Sequence, residues 1–316
     1  MIDFRYHLVS LIAVFLAVAL GIVIGTTALN QPILSDLESQ VDALTADKRT
    51  LENTNRDLQA QLDTGDAFEE AVAPALVAGS LAGRSVVLVV ADEEVEADTV
   101  EELSALVSQA GGTVTGTIRL QPEYSDPASA ASLQSYVTGP GLPTGLTLPE
   151  TDDTGQLVGS LLAQVLMRPA GGAPVPDTAA LSSVLAGLSA LEVLTQESAA
   201  VTPADHAVVL TAGDFPEDEV DDRAGTLVDL ALALDAAGSG AVVAGDAASA
   251  RETGLVGVIR ADPEVSAAVS TVDNVGASAG RISTVLALGR EGEGTSGKYG
   301  TAEDTQPVPP VPAATP

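Results

Sequence analysis

"SVVLVVADEEVEADTVEELSALVSQAGGTVTGTIRL", residues 85–120, changes its hydrophobic period twice. Ser85 to Ala91 is an unbroken apolar run rich in β-branched residues, the pattern of a strand buried on both faces. Asp98 to Gly112 switches to helical spacing. There Asp98 is expected as N-cap, Glu101 as its capping-box partner, and Gly111-Gly112 as the stop. Thr113 to Leu120 reads as a second strand. Strand, helix and strand in that order predict a parallel pair joined by a right-handed crossover.

The same grammar returns later. "HAVVLTAGD" from His206, "AVVAGD" from Ala241 and the short "VSTVD" from Val269 read as strands. "RAGTLVDLALALDAAGSG" from Arg223 and "AGRISTVLALG" from Ala279 read as helices. The prediction is an α/β domain over 80–290: a mostly parallel, Rossmann-like, three-layer arrangement with helices on both faces. A helical insertion occupies about 126–200, broken by "GPGLPTGLTLP" and "RPAGGAPVPD". Residues 291–316 carry Gly and Pro without periodicity and are expected to form a disordered tail.

Working back to the N-terminus, Leu8 to Leu29 is 22 residues of apolar character, enough to cross a ~30 Å hydrocarbon layer. A secretory h-region is shorter, so residues 1–31 are expected to stay as a transmembrane anchor, although Thr26-Thr27-Ala28 would admit cleavage. Arg5 precedes the span while Asp36, Glu38 and Asp42 follow it. That bias puts the N-terminus in the cytoplasm and the remainder outside the cell membrane. Ala13, Ala17, Gly21 and Gly25 recur every fourth position, and small residues on one face allow close helix pairing through Ala17, Gly21 and Gly25. Pro32 suits the start of a new helix. Over 32–64 a heptad follows, predicting a coiled coil. One seam is Leu37, Leu44, Leu51 and Leu58; the other includes Val41, Asn55 and Leu62, with Lys48 as an unfavourable member. Asn55 is the kind of seam residue that sets register and oligomer number. A single amphipathic helix lying on the domain is the alternative. Gly65 and Pro74 mark the expected end. Membrane contact and a homo-oligomer, most simply a homodimer, are the partners this half predicts.

Composition narrows the chemistry. A net charge of −31 leaves nothing to neutralise phosphates, so nucleic acid is excluded as a partner. With no Cys there is neither disulfide nor thiolate metal site. Four predicted strands end in Asp, at Asp92, Asp214, Asp246 and Asp273. A parallel sheet would gather these carboxylates at one edge, where they could hold a hard cation or each cap a following helix. Gly276 to Gly280 matches the G-x-S-x-G string around Ser278, but the one His beyond the anchor, His206, falls at the opposite edge of the sheet. Gly292 to Lys298 approaches a P-loop, yet Tyr299 stands where Ser or Thr is required. Copper ligands are scarce: Met1, Met167, His7 and His206, none spaced as a pair. No catalytic residue is assigned, and the expectation is a protein that is not an enzyme.

"MIDFRYHLVSLIAVFLAVALGIVIGTTALNQ" at the start, "STVDN" (Ser270 to Asn274), "AGRISTVLAL" and "GKYG" (Gly297 to Gly300) together resemble the actinobacterial copper transport protein B (MctB) family. The order of anchor, coil, α/β domain and tail agrees over nearly the whole chain. The resemblance implies copper efflux or homeostasis in the cell envelope, with copper as the implied metal and a dimeric scaffold or binding module as the form. Relatives are also described as division-associated regulators that contact a membrane-protein partner in controlling peptidoglycan hydrolysis, which is the alternative role. A transmembrane barrel would need many strands of alternating polarity, whereas the strands here are few, short and continuously apolar.

Overall fold

The computed structural model describes residues 4–170, 175 and 177–311; for 26–35 and 38 only the backbone is described. Met1, part of the "RPAGGAPVPD" break and the last five residues of the tail lie outside it. The chain divides into two compact units, residues 1–65 and 66–316.

The first unit is helical. Helix α1 runs Phe4–Val77, so it passes Pro32 unbroken and extends through Gly65 and Pro74 into the second unit. Neither the expected new start at Pro32 nor the end at Gly65 appears. A proline removes one backbone hydrogen bond, and a helix continuing on both sides absorbs that loss. The last turns persist because Ala73 and Val77 are buried in the second unit, with Leu81 just beyond them.

The second unit is a mixed α/β domain. Its elements are β1 (Ser85–Val90), α2 (Ala97–Gln109), β2 (Thr113–Leu120), α3 (Ala130–Val137), α4 (Thr154–Leu166), α5 (Thr178–Ala190), β3 (Leu194–Gln196), β4 (His206–Leu210), α6 (Val220–Ala237), β5 (Ala241–Ala244), α7 (Leu255–Ala261), α8 (Pro263–Ala268), β6 (Ser270–Val272), α9 (Ser278–Glu291) and β7 (Lys298–Tyr299). The described strands form one sheet in the order β3-β2-β1-β4-β5-β6-β7. Every pair is parallel except β2 with β3. Strand β1 sits between β2 and β4, with Leu88 opposite both Thr117 and Val208.

Alternation along β1 explains its unbroken apolar run. Val87 and Val89 enter one core with α4, α5 and α6; Val86, Leu88 and Val90 enter a second with α2 and α9. All five are fully buried. Each such side chain contributes about 1.5–3 kcal/mol by leaving water, so a polar residue at any of them is excluded. At the amino end Ser85 and Asp205 bind reciprocally: Asp205 Oδ2 accepts from the Ser85 amide at 2.8 Å, and Ser85 Oγ accepts from the Asp205 amide at 2.9 Å.

Three local expectations change. Helix α2 begins at Ala97 with Glu96 as a cap that makes no side-chain bond, so Asp98 lies inside the first turn. There it favours the helix through the positive end of the helix dipole rather than as a cap. The insertion supplies not only α3, α4 and α5 but also β3, an antiparallel edge strand too short for its sequence to reveal. The supposed disordered tail is ordered as far as Gln306: β7 pairs with β6, Tyr299 is buried, and the Gln306 amide donates to Lys298 O at 2.9 Å. Amides of Thr301 and Ala302 bound to the buried Asp273 carboxylate hold it there.

Candidate functional site

The carboxyl edge of the sheet is where an open parallel sheet places ligands, most of all where strand order reverses, here between β1 and β4. The four candidate aspartates all lie along it, but they separate into two kinds. Asp92 and Asp246 come together across that reversal. Asp92 Oδ1 accepts the Glu94 amide at 2.8 Å. Asp246 Oδ1 accepts the Gly213 amide at 3.1 Å and the Ser249 amide at 2.8 Å, tying the end of β4 to the end of β5. Burial raises the Asp92 carboxyl, and the nearby Glu94 and Asp246 charges add to this, while Arg223 opposes it. A shallow cavity of about 220 Å³ opens beside Glu94, Thr99, Thr211 and Asp246.

Asp214 and Asp273 are instead neutralised. Asp214 pairs with Arg251 at 3.2 Å on the surface. Asp273, 1% exposed, pairs with Arg260 at 2.7 Å. Its Oδ1 also accepts the Thr301 amide at 2.6 Å and its Oδ2 the Ala302 amide at 3.1 Å. Burial alone would raise this carboxyl; the Thr301 amide, Arg260 and the Ala302 amide outweigh it and hold the group below the usual carboxylate range. Arg260 further donates to Thr271 Oγ1 at 2.8 Å and Tyr299 O at 2.8 Å. Gly300, at φ +131°, lies so close that a Cβ there would collide with the Asp273 carboxylate. The "STVDN" and "GKYG" segments thus meet as neighbouring strands, with Thr271 opposite Lys298 and Val272 opposite Tyr299. None of the four aspartates caps a helix; the capping side chains are Asp126, Asp153, Asp177 and Asp262. Among the described residues no group of three or more His, Cys, Asp or Glu is placed to hold one metal ion.

The other candidates resolve geometrically. Ser278, 3% exposed, begins α9, and its Oγ accepts from Arg281 Nη2 at 3.2 Å. His206 lies against Gly292 at the far end of that helix, ~20 Å away at 1.5 Å per residue. Ser278 and His206 therefore cannot share a proton. Arg281 also donates to Gly276 O at 2.7 Å and pairs with Glu102 at 2.8 Å, joining α9 to α2. Lys298 lies on β7 and donates to Arg260 O at 2.8 Å, not in a phosphate loop. Met167 is buried in the core shared with Ala207, while strand alternation turns the adjacent His206 to the opposite face. His7 belongs to the helical unit and is exposed.

In that helical unit Phe4–Gly25 has a mean hydropathy of 2.9 over its most apolar window, none of it buried. Ala17, Gly21 and Gly25 fall on one face, and a Cβ at Gly21 or Gly25 would meet nothing within 4 Å. Leu37, Val41, Leu44, Leu51, Asn55, Leu58 and Leu62 are all exposed along the same helix; Leu44 is 70% and Leu51 67% exposed.

Arg260 and Arg281 were not legible as site residues, since nothing local marks them. The only hint was scarcity: with 13 Lys and Arg in the chain, a cation inside an apolar run such as "LVGVIR" needs a partner.

Fold and edge define an α/β protein preceded by one helix long and apolar enough to cross a membrane. A family model described as "Copper transport outer membrane protein, MctB" matches residues 1–310. Copper transporter MctB of Mycobacterium tuberculosis and of Mycobacterium bovis are each 35% identical over 312 residues, covering 98% of this chain and 99% of theirs. The Mycobacterium leprae relative is 35% identical over 307 residues, 95% of this chain and 96% of its own. The chain belongs to the MctB family.

Proposed function

We propose that this protein is a single-pass envelope protein serving copper efflux or homeostasis, with its N-terminal helix retained as an anchor. The observation that carries the reading is the family match along residues 1–310, which includes the apolar helix itself. In this reading the small-residue face and the leucine seam pair two protomers, the seam as a coiled coil, because their apolar side chains are exposed in a single chain. The α/β domain then lies outside the cytoplasm and works as a Rossmann-like binding module, presenting the Asp92–Asp246 edge to its partner. Copper tolerance of a strain lacking the gene tests this. Full-length protein should restore tolerance and normal cellular copper, and a chain lacking residues 1–31 should not.

A second reading is favoured by two observations: Met167 and His206 lie on opposite faces of the sheet, and no described cluster of His, Asp or Glu is placed to hold a metal. Under it the protein regulates envelope hydrolysis at division through protein contacts, without copper chemistry. Unchanged copper tolerance in cells that fail to separate would establish that reading over the first.

A further inference from the structure

A cavity lined by five carboxylates opens beyond the carboxyl ends of β2 and β4, beside the Asp92–Asp246 pair. Helices α4 and α6 cross closely because α4 carries Gly155 and Gly159: a Cβ at Gly155 would stand 3.2 Å from Thr226 Cα, and one at Gly159 3.1 Å from Leu230 Cα. This crossing sets Asp153, the cap of α4, beside Asp229 of α6. Between them and the turn after β2 opens a cavity of about 440 Å³, within the range of small-molecule sites. Asp126, Asp153, Asp221, Asp222 and Asp229 line it, and no Lys, Arg or His does. Among the described ion pairs none includes any of these five. Arg223 of α6 donates to Glu219, to Pro122 O and to Ser125 Oγ at the cavity's rim, and to none of the five carboxylates among the described hydrogen bonds.

An acidic wall alone is a solvated surface. The second observation is Tyr124. It lines the same cavity and is 2% exposed, yet its hydroxyl has no hydrogen-bond partner among the described residues. A buried unpaired hydroxyl is costly, so a native site that keeps one is built for something that completes it. Burial, and then the charge of Asp229, hold the Tyr124 hydroxyl protonated. Burial and the Asp153 charge raise Asp229 to about 6, as expected of a carboxylate that lacks a counter-ion.

We propose that this cavity binds a small organic polycation, whose ammonium groups meet Asp229 and the Tyr124 hydroxyl inside and Asp126, Asp153, Asp221 and Asp222 at the mouth. An ammonium donates three hydrogen bonds, and the carboxylates and the phenol oxygen can accept them. An organic cation fits better than a metal ion, since the carboxylates are spread around the cavity and no three close on one point.

The test is calorimetric titration of spermidine into the full-length protein in detergent micelles at physiological ionic strength. One saturable site is expected. Asp229→Asn and Asp153→Asn should each weaken it about tenfold, and Tyr124→Phe severalfold. Asp57→Asn, on the exposed face of α1, should leave it unchanged. Should Asp229→Asn fail to fold, Asp221→Asn at the exposed mouth must still weaken binding, and unchanged affinity there overturns the proposal. So do an absence of saturable binding, an equal loss in Asp57→Asn, and displacement of spermidine by an equal concentration of Mg²⁺.

Discussion

Glu291 shows how one buried side chain ties stability to pH. Its Oε1 accepts the Ser270 amide at 2.7 Å and its Oε2 the Ser296 hydroxyl at 3.2 Å. Burial pushes it up to about 7 from 4.5, against those hydrogen bonds and with help from Asp235. Between those values the folded chain keeps a proton that the unfolded chain releases. The native state thus binds more protons, and stability falls as pH rises through that window. Glu291→Gln removes the penalty. Its gain in urea unfolding should be greater near pH 8 than near pH 5 by about 2 kcal/mol. Asp273 has the opposite sign. Its lowered carboxyl contributes stability above the ordinary carboxylate range and loses it as pH falls through its own lowered value. Asp273→Asn leaves Arg260 charged in a nearly closed site, so it should cost about 3 kcal/mol and lower the thermal midpoint at neutral pH.

At the scale of elements, α1 divides between two environments. Its last turns are held by burial of Ala73 and Val77, whereas Leu44, Leu51 and Leu58 face outward at 70%, 67% and 50% exposure. A stripe of leucines seven apart has no reason to stay in water, and a second copy of the helix is the simplest cover. In the proposed coiled-coil dimer, Leu44→Asp/Leu51→Asp/Leu58→Asp should therefore yield monomers of the detergent-solubilised chain in analytical ultracentrifugation. A wild-type chain that sediments as a monomer removes the coiled-coil proposal. Within the α/β domain, β3 and β7 have three and two residues and close the sheet at its two edges. Such short edges limit pairing with other chains, which suits a sheet whose central strands β1, β4 and β5 are buried throughout.

For the whole molecule, the proposed orientation puts the α/β domain outside the cytoplasm. The absence of Cys makes this directly measurable. A single Ala199→Cys, at an exposed position after β3, should react with a membrane-impermeant maleimide in intact cells. Protection until lysis would reverse the orientation. The sequence by itself determined the apolar span, the leucine spacing, the β1–α2–β2 unit and the aspartates at the strand ends. Each depends on periods and turns within some 20 residues, and such local preferences are written directly in residue order. Only the tertiary structure decided which aspartates stand free. Asp92 and Asp246 meet because β4 joins β1 and β5; Asp273 is consumed because β7 returns beside β6; Asp153 meets Asp229 because two glycines let α4 press on α6. Strand order and helix crossing join residues tens of positions apart, and the free energy of those contacts belongs to the packed arrangement, not to any segment read alone.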